Sequence, residues 1–90
     1  MADDRKLDGN AAGGILHAIF PYEMTDVETI CVGCGAHNDI GALAAYIHGM
    51  GTILRCPGCD TVLIRVVQVK GRYWVDMRGV QSLQIAIAAE

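Results

Sequence analysis

Residues 30–60 read ICVGCGAHNDIGALAAYIHGMGTILRCPGCD. The two C-x-x-C pairs in this stretch, Cys31/Cys34 and Cys56/Cys59, account for all 4 cysteines of the chain. A C-x-x-C pair at a tight turn aims two thiolates at one ion. The small or rigid residues around it, Val32-Gly33 and Gly35 in the first pair and Pro57-Gly58 in the second, let backbone N–H groups turn toward the sulfurs. Residues 35–55 separate the pairs, giving C-x2-C-x21-C-x2-C, just beyond the roughly 15–20 residues usual for such a pattern. That length suffices for a hairpin running out along Ile40–Ile47, round Gly49–Gly51 and back along Thr52–Arg55. Four thiolates fill a tetrahedral zinc shell and leave no position for water. The expectation is therefore one structural Zn2+ held by Cys31, Cys34, Cys56 and Cys59, with no catalytic residue. Redox dithiols or plain structural cysteines are the competing readings. A redox C-x-x-C belongs on a thioredoxin-like βαβ unit, and no strand followed by a long helix is legible after either pair.

The rest of the chain is compatible with one small domain that needs such a reinforcement. A chain of 90 residues buries only about 60–65% of its unfolded surface. Its 52% hydrophobic content, 11 glycines and 2 prolines indicate a globular protein with many turns and no low-complexity tract. The longest apolar runs, such as Ala42–Ile47, are far shorter than the roughly 20 residues of a membrane-spanning helix. The first residues, with Asp3 and Asp4, are acidic and polar where a secretory leader would be basic and then apolar. A cytoplasmic location is expected, and in that reducing compartment paired cysteines favour a metal over disulfides.

Charge is unevenly spread. Residues 1–54 carry Arg5 and Lys6 against seven acids, whereas residues 55–78 carry Arg55, Arg65, Lys70, Arg72 and Arg78 against Asp60 and Asp76. The total is −3, and four thiolates on a dication make the metallated protein more acidic still. Such a balance argues against generic nucleic-acid binding while leaving a local basic face.

Residue patterns divide the chain into three segments. In residues 1–26, Leu7–Phe20 places Ala12, Ile15, Leu16, Ile19 and Phe20 at helical spacing, with Asp8 as N-cap and Pro21 as the stop. Gly13 and Gly14 weaken this helix by about 1 kcal/mol each, so it needs packing against the domain, at close range through those glycines. Residues 27–69 hold the two knuckles, with strands expected at Val27–Ile30, Ile40–Ile47, Thr52–Arg55 and the β-branched run Val62–Val69. Residues 70–90 open with a tight Lys70-Gly71 turn and continue as strands Tyr73–Arg78 and Gln81–Ile87. The expected fold is a small metal-bound, β-rich α+β domain spanning residues 1–90, with a four- or five-stranded antiparallel sheet and one N-terminal helix.

Over Val27 to about Val69 this arrangement resembles the zinc ribbon, a family defined by two such knuckles at the ends of β-hairpins. The resemblance is specific for fold and poor for function, because zinc ribbons serve many assemblies and enzymes. The whole chain more closely resembles a family of small bacterial zinc-ribbon proteins of unknown function. They share a DGNAAGG-type opening, here Asp8–Gly14, a TILRCPGC-like second knuckle, here Thr52–Cys59, and a final aromatic strand, here Tyr73–Gly79. Rubredoxin, an iron electron carrier, has knuckles of similar form, and CVGCG fits both families. Against rubredoxin stand Asp60 in place of glycine, the long N-terminal extension and the few aromatic residues: 1 Trp, 1 Phe and 3 Tyr.

Elsewhere the residues read more plainly. His37, His17 and His48 lack partners that would make a relay or nucleophile, and His37 is a loop histidine because four cysteines already complete the shell. In the returning strand, alternation places Tyr73, Val75 and Met77 toward the core and Arg72, Trp74, Asp76 and Arg78 on the other face. Arg72, Trp74 and Arg78 form a candidate interaction surface, since Trp and Arg are enriched at binding hot spots. The plainer alternative covers Trp74 with the N-terminal helix or the last strand. No paired carboxylates, Ser/His/Asp pattern or phosphate-cradling loop is present. The functional expectation is a non-catalytic accessory or assembly subunit that binds a larger protein partner through the Trp74 face and the apolar segment Leu83–Ala89. A nucleic-acid-binding ribbon using Arg55, Arg65, Lys70, Arg72 and Arg78, and a rubredoxin-like carrier associated with an oxidoreductase, are the alternatives.

Overall fold

The β-branched run Val62–Val69 forms the longest strand of the computed structural model, which describes residues 7–86. Among those residues the strands, in chain order, are β1 (Leu7–Asp8), β2 (Glu28–Cys31), β3 (His37–Asp39), β4 (Ala44–His48), β5 (Gly51–Arg55), β6 (Val62–Val69), β7 (Arg72–Asp76) and β8 (Val80–Gln84). They make two antiparallel sheets, one of five strands in the order β1-β4-β5-β6-β7 and one of three in the order β3-β2-β8. One α-helix, α1 (Gly13–Ile19), packs beside them. None of the described helices is long and apolar enough to cross a membrane.

Two sheets replace the single sheet expected from the pattern. The last strand does not extend the β7 edge. After β7 the chain turns at Met77–Val80, where the Val80 N–H donates to the Met77 carbonyl (3.0 Å), and then pairs with β2 through Glu28↔Gln84, Thr29↔Leu83 and Ile30↔Ser82. Gly79 permits the crossing: it is buried, and a Cβ there would overlap the Val62 carbonyl. Leu83 packs against the core while Ile85 is exposed, so the last strand is largely used in the fold. The expected end of that segment, residues 87–89, lies outside the described residues.

The N-terminal segment also departs from the expected continuous helix over Leu7–Phe20. Leu7 and Asp8 are drawn into the sheet opposite Ala45 and Ala44, and Gly9–Ala12 forms a 3-10 turn before α1 begins. Asp8 does cap, but it caps that turn, its carboxylate accepting from the Asn10 N–H (3.1 Å). The close approach is made by Gly9, where a Cβ would overlap the Ile40 carbonyl, while Gly14 faces open space. α1 ends before Pro21, with the Phe20 N–H still bonded to the Leu16 carbonyl (2.9 Å).

Residues expected as one strand over Ile40–Ile47 divide in two. Ile40–Ala42 is a 3-10 turn whose fully buried Ile40 donates its N–H to the Val27 carbonyl (2.9 Å). The strand proper begins at Ala44. The polar β3, His-Asn-Asp, carries no strand pattern of its own and is held by pairing with β2. The core lies between these elements, with Leu16, Ile40, Leu54, Leu63 and Ile64 at its centre. It stops short of the far end of β7. Met77 packs against it, but Tyr73 and Val75, expected inside, are exposed.

Candidate metal centre

Each cysteine pair is built the same way on a different sheet. The first knuckle closes the β2–β3 hairpin and the second the β5–β6 hairpin. In the first, the Cys31 N–H donates to the Ala36 carbonyl (2.9 Å) and the Gly35 N–H to the Cys31 carbonyl (2.8 Å); in the second, Cys56 N–H donates to Thr61 (2.8 Å) and Asp60 N–H to Cys56 (2.8 Å). The fifth residue of each turn is left-handed, Gly35 at φ 76° and Asp60 at φ 69°. Asp is among the few side chains that tolerate that region, and Arg55 braces it, its guanidinium 3.0 Å from the Asp60 carbonyl. Before each knuckle the strand register slips, at Ile30/Cys31 in the pairing of β2 with β8 and at Leu54/Arg55 in the β5–β6 hairpin. Such irregularities bend a strand and re-aim the side chains beyond the bend.

The result is convergence of all four sulfurs. Cys31 Sγ lies 3.6 Å from Cys59 Sγ and Cys34 Sγ 3.7 Å from Cys56 Sγ, and none of the four is more than 4.8 Å from another. Four sulfurs at about 2.3 Å from a tetrahedral ion lie about 3.8 Å apart, so these separations suit a tetrahedral four-thiolate shell. All four cysteines are free thiols. Cys31 and Cys56 are buried and Cys34 and Cys59 exposed, which places the cluster at the rim of the core with one sulfur of each pair inside. The backbone points inward as the turn chemistry requires: Gly33 N–H lies 3.3 Å from Cys31 Sγ and Gly58 N–H 3.4 Å from Cys56 Sγ.

The protons on these thiols are unevenly held. The Ala36 N–H favours ionisation of Cys34, but the neighbouring Cys59 and Cys56 sulfurs, desolvation and Cys31 outweigh it and push that thiol up to about 12. At Cys59 the Thr61 hydroxyl, 3.0 Å away, and then the Thr61 N–H bring the thiol down to about 6. Four thiolates cannot share so small a volume without a cation, and a bound dication would replace the protons.

Sequence reasoning missed Thr61 and Gly79. Thr61 holds the Cys59 sulfur, and Gly33 must lack a Cβ to leave its hydroxyl room, since one would lie 2.7 Å from it. Gly79 lies between the knuckles, its carbonyl accepting from the Val32 N–H (2.9 Å) while a Cβ on it would overlap the Val62 carbonyl. Neither has a spacing signal, because each acts through a segment distant in sequence. His37 stands apart from the sulfur cluster, on β3, 3.4 Å from the Glu28 carboxylate. His17 and His48 are exposed.

The other candidate residues lie on the outer face of the five-stranded sheet. Register places Tyr46, Ile53, Arg65 and Asp76 in one cross-strand row and Val67 with Trp74 in the next, with Val69 and Arg72 beyond. Trp74 is 64% exposed; neither the helix nor the last strand covers it. Arg78 bonds the Asp76 carboxylate at 3.0 Å, and Arg55 lies over the Tyr46 ring, 5.8 Å from its centroid. Arg55, Arg65 and Arg78 line one shallow depression with Ile53, Val62 and Asp76. Four arginines thus share one open face.

A family model matches residues 3–88. The chain belongs to a family of unknown function (DUF6510). No curated protein and no solved structure matches it significantly. The family spans both knuckles, the crossing glycine and β7.

Proposed function

We propose that this protein is a non-catalytic, structural-zinc module of the cytoplasm, of zinc-ribbon type, that serves as an assembly or accessory subunit for a protein partner. The observation that carries the reading is the closed set of four sulfurs, each knuckle contributing two from a separate sheet. Such a shell has no open position at which water or substrate could be activated, so its chemistry is to join the sheets. The interaction role is supported by the exposed Trp74 flanked by Arg72 and Arg78, an arrangement typical of binding hot spots. Zinc is favoured over iron by the long chain outside the ribbon and the scarcity of aromatic residues. Elemental analysis of protein purified from its native host, with identification of what co-purifies, tests both parts. One zinc per chain and a protein partner lost on Trp74→Ala is the expected result. A visible thiolate-to-iron absorption that reductant bleaches overturns the zinc assignment.

A second reading, a nucleic-acid-binding ribbon, is favoured by Arg55, Arg65, Arg72 and Arg78 on one sheet face with Tyr46 and Trp74 available for stacking. The acidity of the remaining chain opposes it. Salt-sensitive binding of single-stranded RNA or DNA would support this reading, and no binding at low salt removes it.

A further inference from the structure

Strand β7 is an edge of the five-stranded sheet among the described residues, and its middle, Tyr73-Trp74-Val75, is exposed and apolar on both sides. Trp74 is 64% exposed on the outer face, and Tyr73 and Val75 are 40% and 37% exposed on the other. Natural proteins blunt a sheet edge with charges, bulges or a cover, because unpaired N–H and C=O groups recruit another strand. Here the aromatic centre of the edge, Tyr73-Trp74-Val75, has none of these among the described residues.

The backbone geometry tells which groups are free. The Lys70–Gly71 turn, at φ 49° and 76°, closes a two-residue hairpin at Val69↔Arg72. Arg72, Trp74 and Asp76 therefore direct their backbone groups toward β6, while those of Tyr73 and Val75 point out along the edge.

We propose that β7 pairs antiparallel with β7 of a second copy of this chain, about a two-fold axis at Trp74, joining two five-stranded sheets into one of ten strands. This names a second copy as the occupant of the Arg72–Trp74 surface, and so rests on reading that strand as an assembly surface. The order Arg72-Tyr73-Trp74-Val75-Asp76 is self-complementary. With the axis at Trp74, Arg72 lies opposite Asp76 of the second copy and Asp76 opposite its Arg72. Tyr73 and Val75 meet on the other face, exchanging the free backbone hydrogen bonds, and the two Trp74 rings adjoin. Facing side chains are closest at positions without mutual backbone bonds, and those are the tryptophan and charged pairs. No carboxylate forms an ion pair with Arg72 among the described residues, so its charge is available, and Asp76, which already bonds Arg78 of its own chain, would accept Arg72 of the second copy as a further partner.

Other registers fit less well. A slip of one residue sets outward-pointing backbone groups against inward-pointing ones. A two-residue slip one way opposes Arg72 to Arg78, and the other way leaves Val75 facing Gly71 and separates the tryptophans.

Light scattering and sedimentation velocity on the zinc-loaded full chain test the pairing, using wild type, Arg72→Asp, Trp74→Glu and the double variant Arg72→Asp/Asp76→Arg. The expected wild-type mass is twice the 9.6 kDa of one chain, with both single variants monomeric and the double variant dimeric again. A monomeric wild type at hundreds of micromolar, or an Arg72→Asp protein as dimeric as wild type, overturns the proposal. If the double variant fails to retain zinc, Val75→Pro decides, because it removes a backbone N–H that faces away from β6. A zinc-loaded Val75→Pro monomer supports edge pairing, and a dimer overturns it. Failure of the pairing with one zinc per chain intact leaves the metal module standing, whereas protein isolated without metal overturns the module whatever its mass.

Discussion

At Asp60 the second knuckle asks a residue with a side chain to adopt φ 69°, the conformation that Gly35 supplies freely in the first. Strain of this kind costs on the order of 1 kcal/mol, and the exposed Arg55–Asp60 pair at 3.7 Å returns about 0–1 kcal/mol. Asp60→Gly is therefore expected to leave the thermal midpoint of the zinc-loaded protein within a few degrees of wild type. Asp60→Val, β-branched in the same conformation, should lower stability by about 1–3 kcal/mol. Gly79 allows no such exchange, because a Cβ there meets backbone, which cannot move as a side chain tip can. Gly79→Ala should cost at least the roughly 1–3 kcal/mol of an overpacked core site, read by denaturant unfolding with zinc present. The same substitution at Gly14, which faces open space in α1, should raise stability by about 0.4–1 kcal/mol.

Among the elements, the turn after β7 holds an acid-sensitive carboxylate. Asp76 is held below the ordinary carboxylate range chiefly by the Arg78 N–H, 3.0 Å from its Oδ1, and further by the Arg78 guanidinium and the charge of Arg65. A carboxyl lowered in the folded state contributes stability that is present above its unfolded pKa of 3.8 and is lost as pH falls through the lowered value. Asp76→Asn should thus reduce stability near neutrality, and its difference from wild type should shrink as pH drops through that acid window. Urea midpoints for the two proteins at a series of pH values give the comparison, and a difference that is flat or grows toward acid contradicts the assignment. At the two knuckles, the register slips before Cys31 and Cys56 have a common role. Each interrupts regular pairing, with β8 in one case and β6 in the other, where the chain must turn its sulfurs inward.

For the molecule as a whole, the cluster joins a sheet that carries Cys31 and Cys34 to one that carries Cys56 and Cys59. Apparent zinc binding in small modules is worth about 10–16 kcal/mol, comparable to or above the total of about 5–14 kcal/mol expected for 90 residues. Removing the ion with a strong chelator, or introducing Cys56→Ser, should collapse amide-proton dispersion across both sheets together, and returning zinc to the wild type should restore it at one ion per chain. Loss confined to residues near the knuckles would show that the two sheets hold without the metal. Uptake of the ion should release protons, most of all from Cys34, whose thiol the neighbouring sulfurs push up.

Much of this organisation was legible from residue identity and spacing. Cysteine chemistry with two i, i+3 pairs names the cluster, β-branched density names β6, and Lys70-Gly71 names a tight turn, because each depends on residues close together in the chain. Alternation along β7 was also legible, since a strand's period is local, but its burial was not. Whether Tyr73, Trp74 and Val75 are covered depends on where the second sheet ends, and that is set by β8 crossing at Gly79 to pair with β2. The same holds for β3 and for the opening at Leu7–Asp8, which become strands through partners far along the chain, against their own patterns. Sequence alone thus determined which atoms can bind the ion and which turns can be made. Tertiary structure decided that there are two sheets, that the sulfurs bridge them and that β7 is left as an exposed edge, because pairing between distant strands and backbone contact at a glycine have no local signature.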